Sequence, residues 1–413
     1  MKSAMAFALL IAITCTSTSA AKDGPPAAPQ ADVATVGQSG GAFGADLYGR
    51  WDSGTNLVFS PLSIHSALTM AWSGAGGKTA EEMAATLRLT LPRDKVGRAY
   101  GAMIRTLAAG GEAGEGEEKK PYALYLSSAL WKQKGLKTEE AFTQSLRSNY
   151  LASLFETDFA KPEAARATIN DWVGGFTEHK IKEVVPPGVL TPQTRVLLAS
   201  AIYFRSAWQR PFQKSHTRDA PFHVTAEKTV PVPMMTGTAT RRYLETPEFQ
   251  ACSLAYADGR LAMMLFVPKK VDGLGAFETS LTADTLAMWL TKFTVAEVDV
   301  QLPRFQVAGE LRLAPALQGL GMKEAFSAAA DFTGIARPPE GLLLSSVVHS
   351  AVITVDEEGT EAAAATEAAL ELKDDAAPKR IVADRPFFFL VRDGASGAVL
   401  FMGRVVNPTK GSD

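Results

Sequence analysis

Short apolar or alternating runs recur through the second half of the chain, at Leu261 to Val267, Val298 to Leu302, Val352 to Val355, Phe387 to Val391 and Val399 to Val405, with an earlier one at Val196 to Phe204. Runs of this length bounded by turn formers are the pattern of buried strands. The first half carries helical patterning instead. Ser60 supplies an N-cap and Pro61 opens the first turn, where its missing N–H leaves nothing unsatisfied, so a helix is predicted to about Trp72. Helices are thus expected in the first half and strands in the second. Lys22 to Gln38 is rich in Pro, Ala and Gly without apolar periodicity and reads as a flexible linker, with folding starting near Ser39. Gly110 to Lys120 reads as a polar surface insertion. No fixed-period repeat and no break after Lys120 are evident, which favours one α+β domain over residues 39–413.

The N-terminal stretch is of another kind. Lys2, the apolar run Ala4 to Ile13 and the small residues Thr14 to Ala21 form a signal-peptide pattern over residues 1–21, predicting a secreted or periplasmic protein. The run is too short to span a bilayer of about 30 Å, and no later stretch approaches the length a membrane helix needs. Thr14 is bulky for a residue preceding a lipid-modified Cys15, so Cys252 is expected to be the sole cysteine of the mature chain, with no internal disulfide.

Composition narrows the partners only a little. With 42 basic and 44 acidic side chains the net charge is −2, which offers no long-range field for nucleic acid or an anionic membrane. With 46% apolar residues in 413, the chain can bury a large core.

Several apparent catalytic patterns fail on context. Gly37, Ser39 and Gly41 match the G-x-S-x-G elbow, which requires a preceding strand, whereas a Pro/Ala segment precedes here; a flexible entry to the first helix is the favoured reading. Gly74 to Thr79 resembles a phosphate loop, but Trp72 stands where the first glycine belongs, so a turn between helices is expected. The five histidines, His65, His179, His216, His223 and His349, form no short-spaced metal-ligand pair, and no metal or other cofactor is expected. His216 and His223 read as surface or strand-edge residues, and His349, in an apolar run, as a hydrogen-bonded core residue.

The segment Asp356 to Lys379 has helical propensity, yet a two-residue period sorts it better. Thr360, Ala362, Ala364, Thr366, Ala368, Leu370 and Leu372 share one parity, and Glu361, Glu367, Glu371 and Lys373 the other. One small, neutral face and one charged face suit a strand with one side buried.

Four ordered motifs then identify a relationship. NLVFSPLSIHSALTMAWSGAGGKTAEEM at Asn56 to Met83, IYFRSAWQRPF at Ile202 to Phe212, VVHSAVITVDEEGTEAAAA at Val347 to Ala365, and ADRPFFFLVRD with VLFMGRVVNP at the C-terminus resemble the serpins over nearly the whole mature chain. The resemblance implies the serpin fold: helices around a large central mixed sheet, smaller sheets, and an exposed reactive-centre loop, here about residues 357–380. It implies a suicide inhibitor of a serine protease, not an enzyme, in which the cleaved loop enters the sheet as a new strand while acyl-linked to its target. Entry of about 14 residues at ~3.3 Å each would carry the protease ~45 Å.

The family pattern assigns the hinge to Glu357, Gly359, Thr360 and Ala362, Ala363, Ala364 and Ala365, with Glu357 paired to Arg304. Small hinge residues favour an inhibitor over a non-inhibitory carrier. The family spacing puts the reactive bond between Lys373 and Asp374, which suits a trypsin-like target; cleavage after Leu372 by a chymotrypsin-like protease is the alternative. Trp208, His349, Ser63 and Ser200 match the region where the sheet parts, with Ser200 where the family usually has asparagine. The shorter Ser200 is expected to leave His349 to water or to Ser63. No cluster of Lys or Arg marks a glycosaminoglycan helix, and a monomer is expected.

Overall fold

The computed structural model describes residues 28–52, 54–109, 122–150, 152–177, 179, 181, 183–339, 341–360 and 377–410. The proposed signal peptide, the insertion at 110–120, Ala362 to Ala365, and Leu372, Lys373 and Asp374 lie outside them.

In chain order the helices are α1 (Gln30–Tyr48), α2 (Pro61–Ser73), α3 (Gly77–Thr86), α4 (Arg93–Ala109), α5 (Glu140–Ser145), α6 (Pro162–Phe176), α7 (Leu274–Ser280), α8 (Ala283–Thr291) and α9 (Ala314–Gly319). The strands are β1 (Leu57–Phe59), β2 (Tyr122–Gln133), β3 (Ser153–Thr157), β4 (Val196–Ala207), β5 (Arg218–His223), β6 (Thr229–Glu245), β7 (Phe249–Ala255), β8 (Leu261–Pro268), β9 (Thr294–Pro303), β10 (Phe305–Arg312), β11 (Ser346–Val355), β12 (Gly359–Thr360), β13 (Lys379–Val382), β14 (Phe387–Asp393) and β15 (Val399–Val405).

Two sheets organise these elements. The six-stranded sheet runs β10-β11-β4-β2-β3, with β12 added to β4. It is mixed: β4 is antiparallel to β2 but parallel to β11. The second path, β1-β15-β14-β8-β7-β6-β9-β13 with β5 on β6, joins the expected smaller sheets into one, because the 17-residue β6 is long enough to serve both ends.

The apolar run of β4 reflects burial on both faces. Leu198, Ile202 and Phe204 enter the main core, whereas Leu197, Ala199, Ala201 and Tyr203 enter a second core that also holds Trp131 and the α6 residues Ile169 and Val173. β2 and β3 fall early in the chain and α7 to α9 late, so the expected division into a helical first half and a stranded second half holds only loosely. Long antiparallel pairing of β2 with β4, from Tyr122↔Ser206 to Lys132↔Val196, is what carries β2 into the sheet.

The linker reading of 22–38 is corrected from Gln30 onward, where α1 begins. Val33 and Val36 are buried with Phe43 and Leu47, so folded structure starts before Ser39. The glycines that suggested flexibility let α1 approach its neighbours closely. A Cβ on Gly37 would stand 2.2 Å from the Ser396 carbonyl oxygen, and one on Gly44 2.7 Å from the Pro61 ring. Packing outweighs a helix-propensity loss of about 1 kcal/mol per glycine.

Candidate functional site at the sheet hinge

β11 ends at Val355, and the chain turns through Asp356 to Glu358 before returning as β12. Asp356 organises the turn. Its carboxylate accepts from the backbone N–H groups of Glu358 at 2.9 Å and Gly359 at 3.2 Å, while its own N–H donates to the Gly359 carbonyl at 2.9 Å. β12 then pairs antiparallel with β4, Gly359 opposite Ala207 and Thr360 opposite Ser206. Gly359 is required by this approach: a Cβ there would lie 2.1 Å from the Ser206 carbonyl oxygen. Thr360 is fully buried, its hydroxyl 2.8 Å from that of Tyr256.

Trp208 fixes the turn from the other side. Its indole N–H donates to the Asp356 carbonyl at 2.9 Å and its backbone N–H to the Glu358 carbonyl at 2.8 Å, while its ring stacks on Tyr256 at 4.6 Å. Trp208, immediately after the end of β4, thus stands at the hinge. The Glu357 carboxylate, 2% exposed, takes three bonds of 2.6 to 2.9 Å from the Arg304 guanidinium and another from the Thr217 hydroxyl. Burial pushes the carboxyl pKa up, but Arg304 and Thr217 outweigh it and hold the group below its ordinary value. Lys214 pairs with the exposed Glu358.

Farther along the β4–β11 seam, His349 lies opposite Ser200. Its Nε2 accepts from the Ser60 backbone N–H at 2.9 Å, so Nδ1 carries the proton and donates to the Ser200 hydroxyl at 2.9 Å. Burial lowers its pKa to about 3, and the ring is neutral. Two expectations are corrected here. Ser200 does reach His349, because parallel pairing sets the two residues side by side. Ser63 does not; its hydroxyl is buried without a hydrogen-bond partner, and the contact from α2 comes instead through Ser60, whose side chain also caps the helix by accepting from Ser63 N–H at 3.0 Å.

The remaining chemical candidates are structural. Ser39 lies in the middle of α1, with no strand before it, so it stands on no nucleophile elbow. Glycine-rich Gly74 to Gly76 is the turn between α2 and α3. His65 is buried between the Tyr100 hydroxyl and the Leu87 carbonyl, its pKa lowered to about 4 by burial. His216 is exposed and His223 ends the edge strand β5. The Cys252 thiol is buried and pushed up to about 12. No cluster of three or more His, Cys, Asp or Glu side chains able to hold a metal occurs among the described residues, and no helix among them is long and apolar enough to cross a membrane.

The sheet-and-helix arrangement is shared with solved structures. It superposes on human thyroxine-binding globulin complexed with thyroxine with a TM-score of 0.81 at 29% identity, covering 92% of this chain and all of that one. Uncleaved ovalbumin matches with a TM-score of 0.79 at 26% identity, covering 90% of this chain and 100% of its own. The family model Serpin (serine protease inhibitor) matches residues 38–408, and the chain belongs to that family. An uncharacterized serpin-like protein of Thermococcus kodakarensis is 38% identical over 90% of this chain and 85% of its own length. The leukocyte elastase inhibitor of Bos taurus is 35% identical over 86% of this chain and 93% of its own.

Tyr256, Asp356, Thr217 and the Ser60 backbone were not singled out from sequence. Asp356 sits in a turn-forming acidic triplet that signals a local cap, whereas the other three act across sheets and leave no local pattern.

Proposed function

We propose that the chain is a suicide inhibitor of a serine protease, trypsin-like, cleaved after Lys373 and trapping its acyl-enzyme by adding the loop to the six-stranded sheet. The observation that carries this reading is the start of β12, already paired antiparallel to β4. Continued in the same register, Ala362 would come opposite Phe204 and Ala364 opposite Ile202, on the main-core side of β4. The parity of small neutral residues in the loop is the one that this register turns toward that core. Glu361 and Glu367 would turn to the other face.

Insertion separates β11 from β4 and replaces their one parallel ladder with two antiparallel ones, at about 1 kcal/mol per added bond. Export through residues 1–21, action as a monomer, and no need of a glycosaminoglycan or other cofactor complete the reading.

Incubation with trypsin and with chymotrypsin tests it. The expected result is an SDS-stable complex with trypsin and release of a C-terminal fragment beginning at Asp374. A fragment beginning at Lys373, from a complex with chymotrypsin, would move the reactive bond to Leu372. Loop cleavage with no complex and no rise in thermal stability would overturn inhibition and leave a non-inhibitory carrier.

A further inference from the structure

Where β2 stops and β4 begins, at one end of the six-stranded sheet, lies an open cavity of about 510 Å³, within the size range of small-molecule sites. Four of its lining residues are cations, Lys134, Lys137, Arg195 and Arg337, and no Asp or Glu among the described residues lines it. They come from three separate stretches of the chain, so no run of basic residues marks the site in the sequence. Folding gathers them. The Gln133 N–H donates to the Arg195 carbonyl at 2.9 Å, and the Glu139 N–H to the Ile335 carbonyl at 2.9 Å, which ties the approach to Arg337 to the turn after β2. Gly135, at φ +81°, bends that turn between the two lysines.

The neighbouring carboxylates are already engaged. Glu156 pairs with Lys132 at 2.7 Å, Glu139 with Arg337 at 3.2 Å, and Asp158 accepts the Ala160 N–H at 3.2 Å. Lys134 and Lys137 are exposed and form no ion pair with a carboxylate among the described residues. Arg195 is held in place by its own backbone surroundings, with Nη1 donating to the Pro192 carbonyl at 3.0 Å and the Thr194 carbonyl at 3.2 Å. Like charges gathered without a counter-charge repel, and a multivalent anion between them relieves that repulsion. Leu136, Pro192, Pro338 and Pro339 make the rest of the wall apolar.

We propose that this cavity binds a compact oligophosphate, its phosphates bridging Lys134, Lys137 and Arg195. Linked phosphates concentrate several negative charges in a volume that the cavity holds, whereas a lone carboxylate meets only one cation at a time. The same chemistry has two sources: free inorganic oligophosphate, and the triphosphate of a nucleotide with its base against the prolines. Calorimetric titration of the full chain with inorganic tripolyphosphate and with ATP, at one ionic strength fixed with chloride, distinguishes them, with orthophosphate as control.

The expected result is saturable binding of tripolyphosphate, ATP or both, weakened about tenfold or more by the double variant Lys134→Gln/Lys137→Gln. Lys228→Gln, at an exposed lysine in the turn between β5 and β6, should bind as the parent does. Tighter binding of ATP supports the nucleotide as the source, and tighter binding of tripolyphosphate the free oligophosphate. Thermal unfolding without ligand checks that the double variant is folded. The proposal is overturned if neither compound saturates, if the folded double variant binds as tightly as the parent, or if orthophosphate matches tripolyphosphate. Equal weakening by Lys228→Gln would also overturn it, since the attraction would then be diffuse and have no site.

Discussion

Replacing Thr360 with arginine puts a charged side chain where the hinge buries a hydroxyl. Thr360 has no exposed surface and shares a 2.8 Å hydrogen bond with Tyr256, itself fully buried. The substitution leaves the Tyr256 hydroxyl without its partner, at about 1–3 kcal/mol, and an unpaired guanidinium held in the same place costs several more. Before cleavage the chain can escape both penalties by releasing the two residues of β12 from β4. An inserted loop cannot, because every following residue enters behind Thr360. Even about 4 kcal/mol added to the insertion barrier slows that step roughly a thousandfold, enough for deacylation to win. Thr360→Arg is therefore expected to be cleaved by the target protease as a substrate, with little SDS-stable complex and a large rise in inhibitor consumed per enzyme trapped. Thr360→Ser, which keeps the hydroxyl, should inhibit as the parent does. Trapping by Thr360→Arg at the parent stoichiometry would refute loop insertion through this hinge.

Arg304→Ala removes the partner of a buried Glu357 carboxylate; because Arg304 is itself half-exposed, the expected loss is about 1–2 kcal/mol, read as faster limited proteolysis around residues 356–360, and unchanged proteolysis would show that the pair does not hold the hinge. Ser200→Ala leaves the His349 Nδ1–H without an acceptor and should lower unfolding stability by about 1–3 kcal/mol; an unaltered denaturation midpoint would mean that another group replaces the serine. His65 and His349 have pKa values lowered to about 4 and about 3 in the folded chain, against about 6.5 unfolded. Below 6.5 the unfolded chain therefore takes up protons first, and the stability these rings contribute is full at neutral pH and lost as the pH falls toward their folded values, at up to about 1.4 kcal/mol per pH unit for each. Denaturant unfolding at pH 7.5 and pH 5 should differ by about 4 kcal/mol, and equal stability would contradict the buried neutral state.

The sequence was most legible where local chemistry and burial agree. Ser60 and Pro61 mark the start of α2, and Val399 to Val405 is a strand over the bounds its apolar run suggests. α1 was obscured because it uses glycine for close packing, and glycine has the same signature in a linker. At the hinge, the Glu357–Arg304 pair followed from the family resemblance, and the geometry bears out that contact. The surroundings of His349 were harder to read. Whether Ser200 reaches it depends on the parallel register of β4 with β11, and the partner from α2 is a backbone N–H, which no side-chain identity reveals.

The seam between β11 and β4 runs through seven parallel pairs, from Ser346↔Leu197 to Val352↔Tyr203. On the proposed function, a cut loop wedges this seam apart and stays there, and the severed peptide bond leaves no route back. Each copy is then a titrant and not a catalyst. Defence against a burst of protease would be complete until the copies run out and would then end abruptly, so the dose of the protein, rather than any turnover rate, sets how much protease it can absorb.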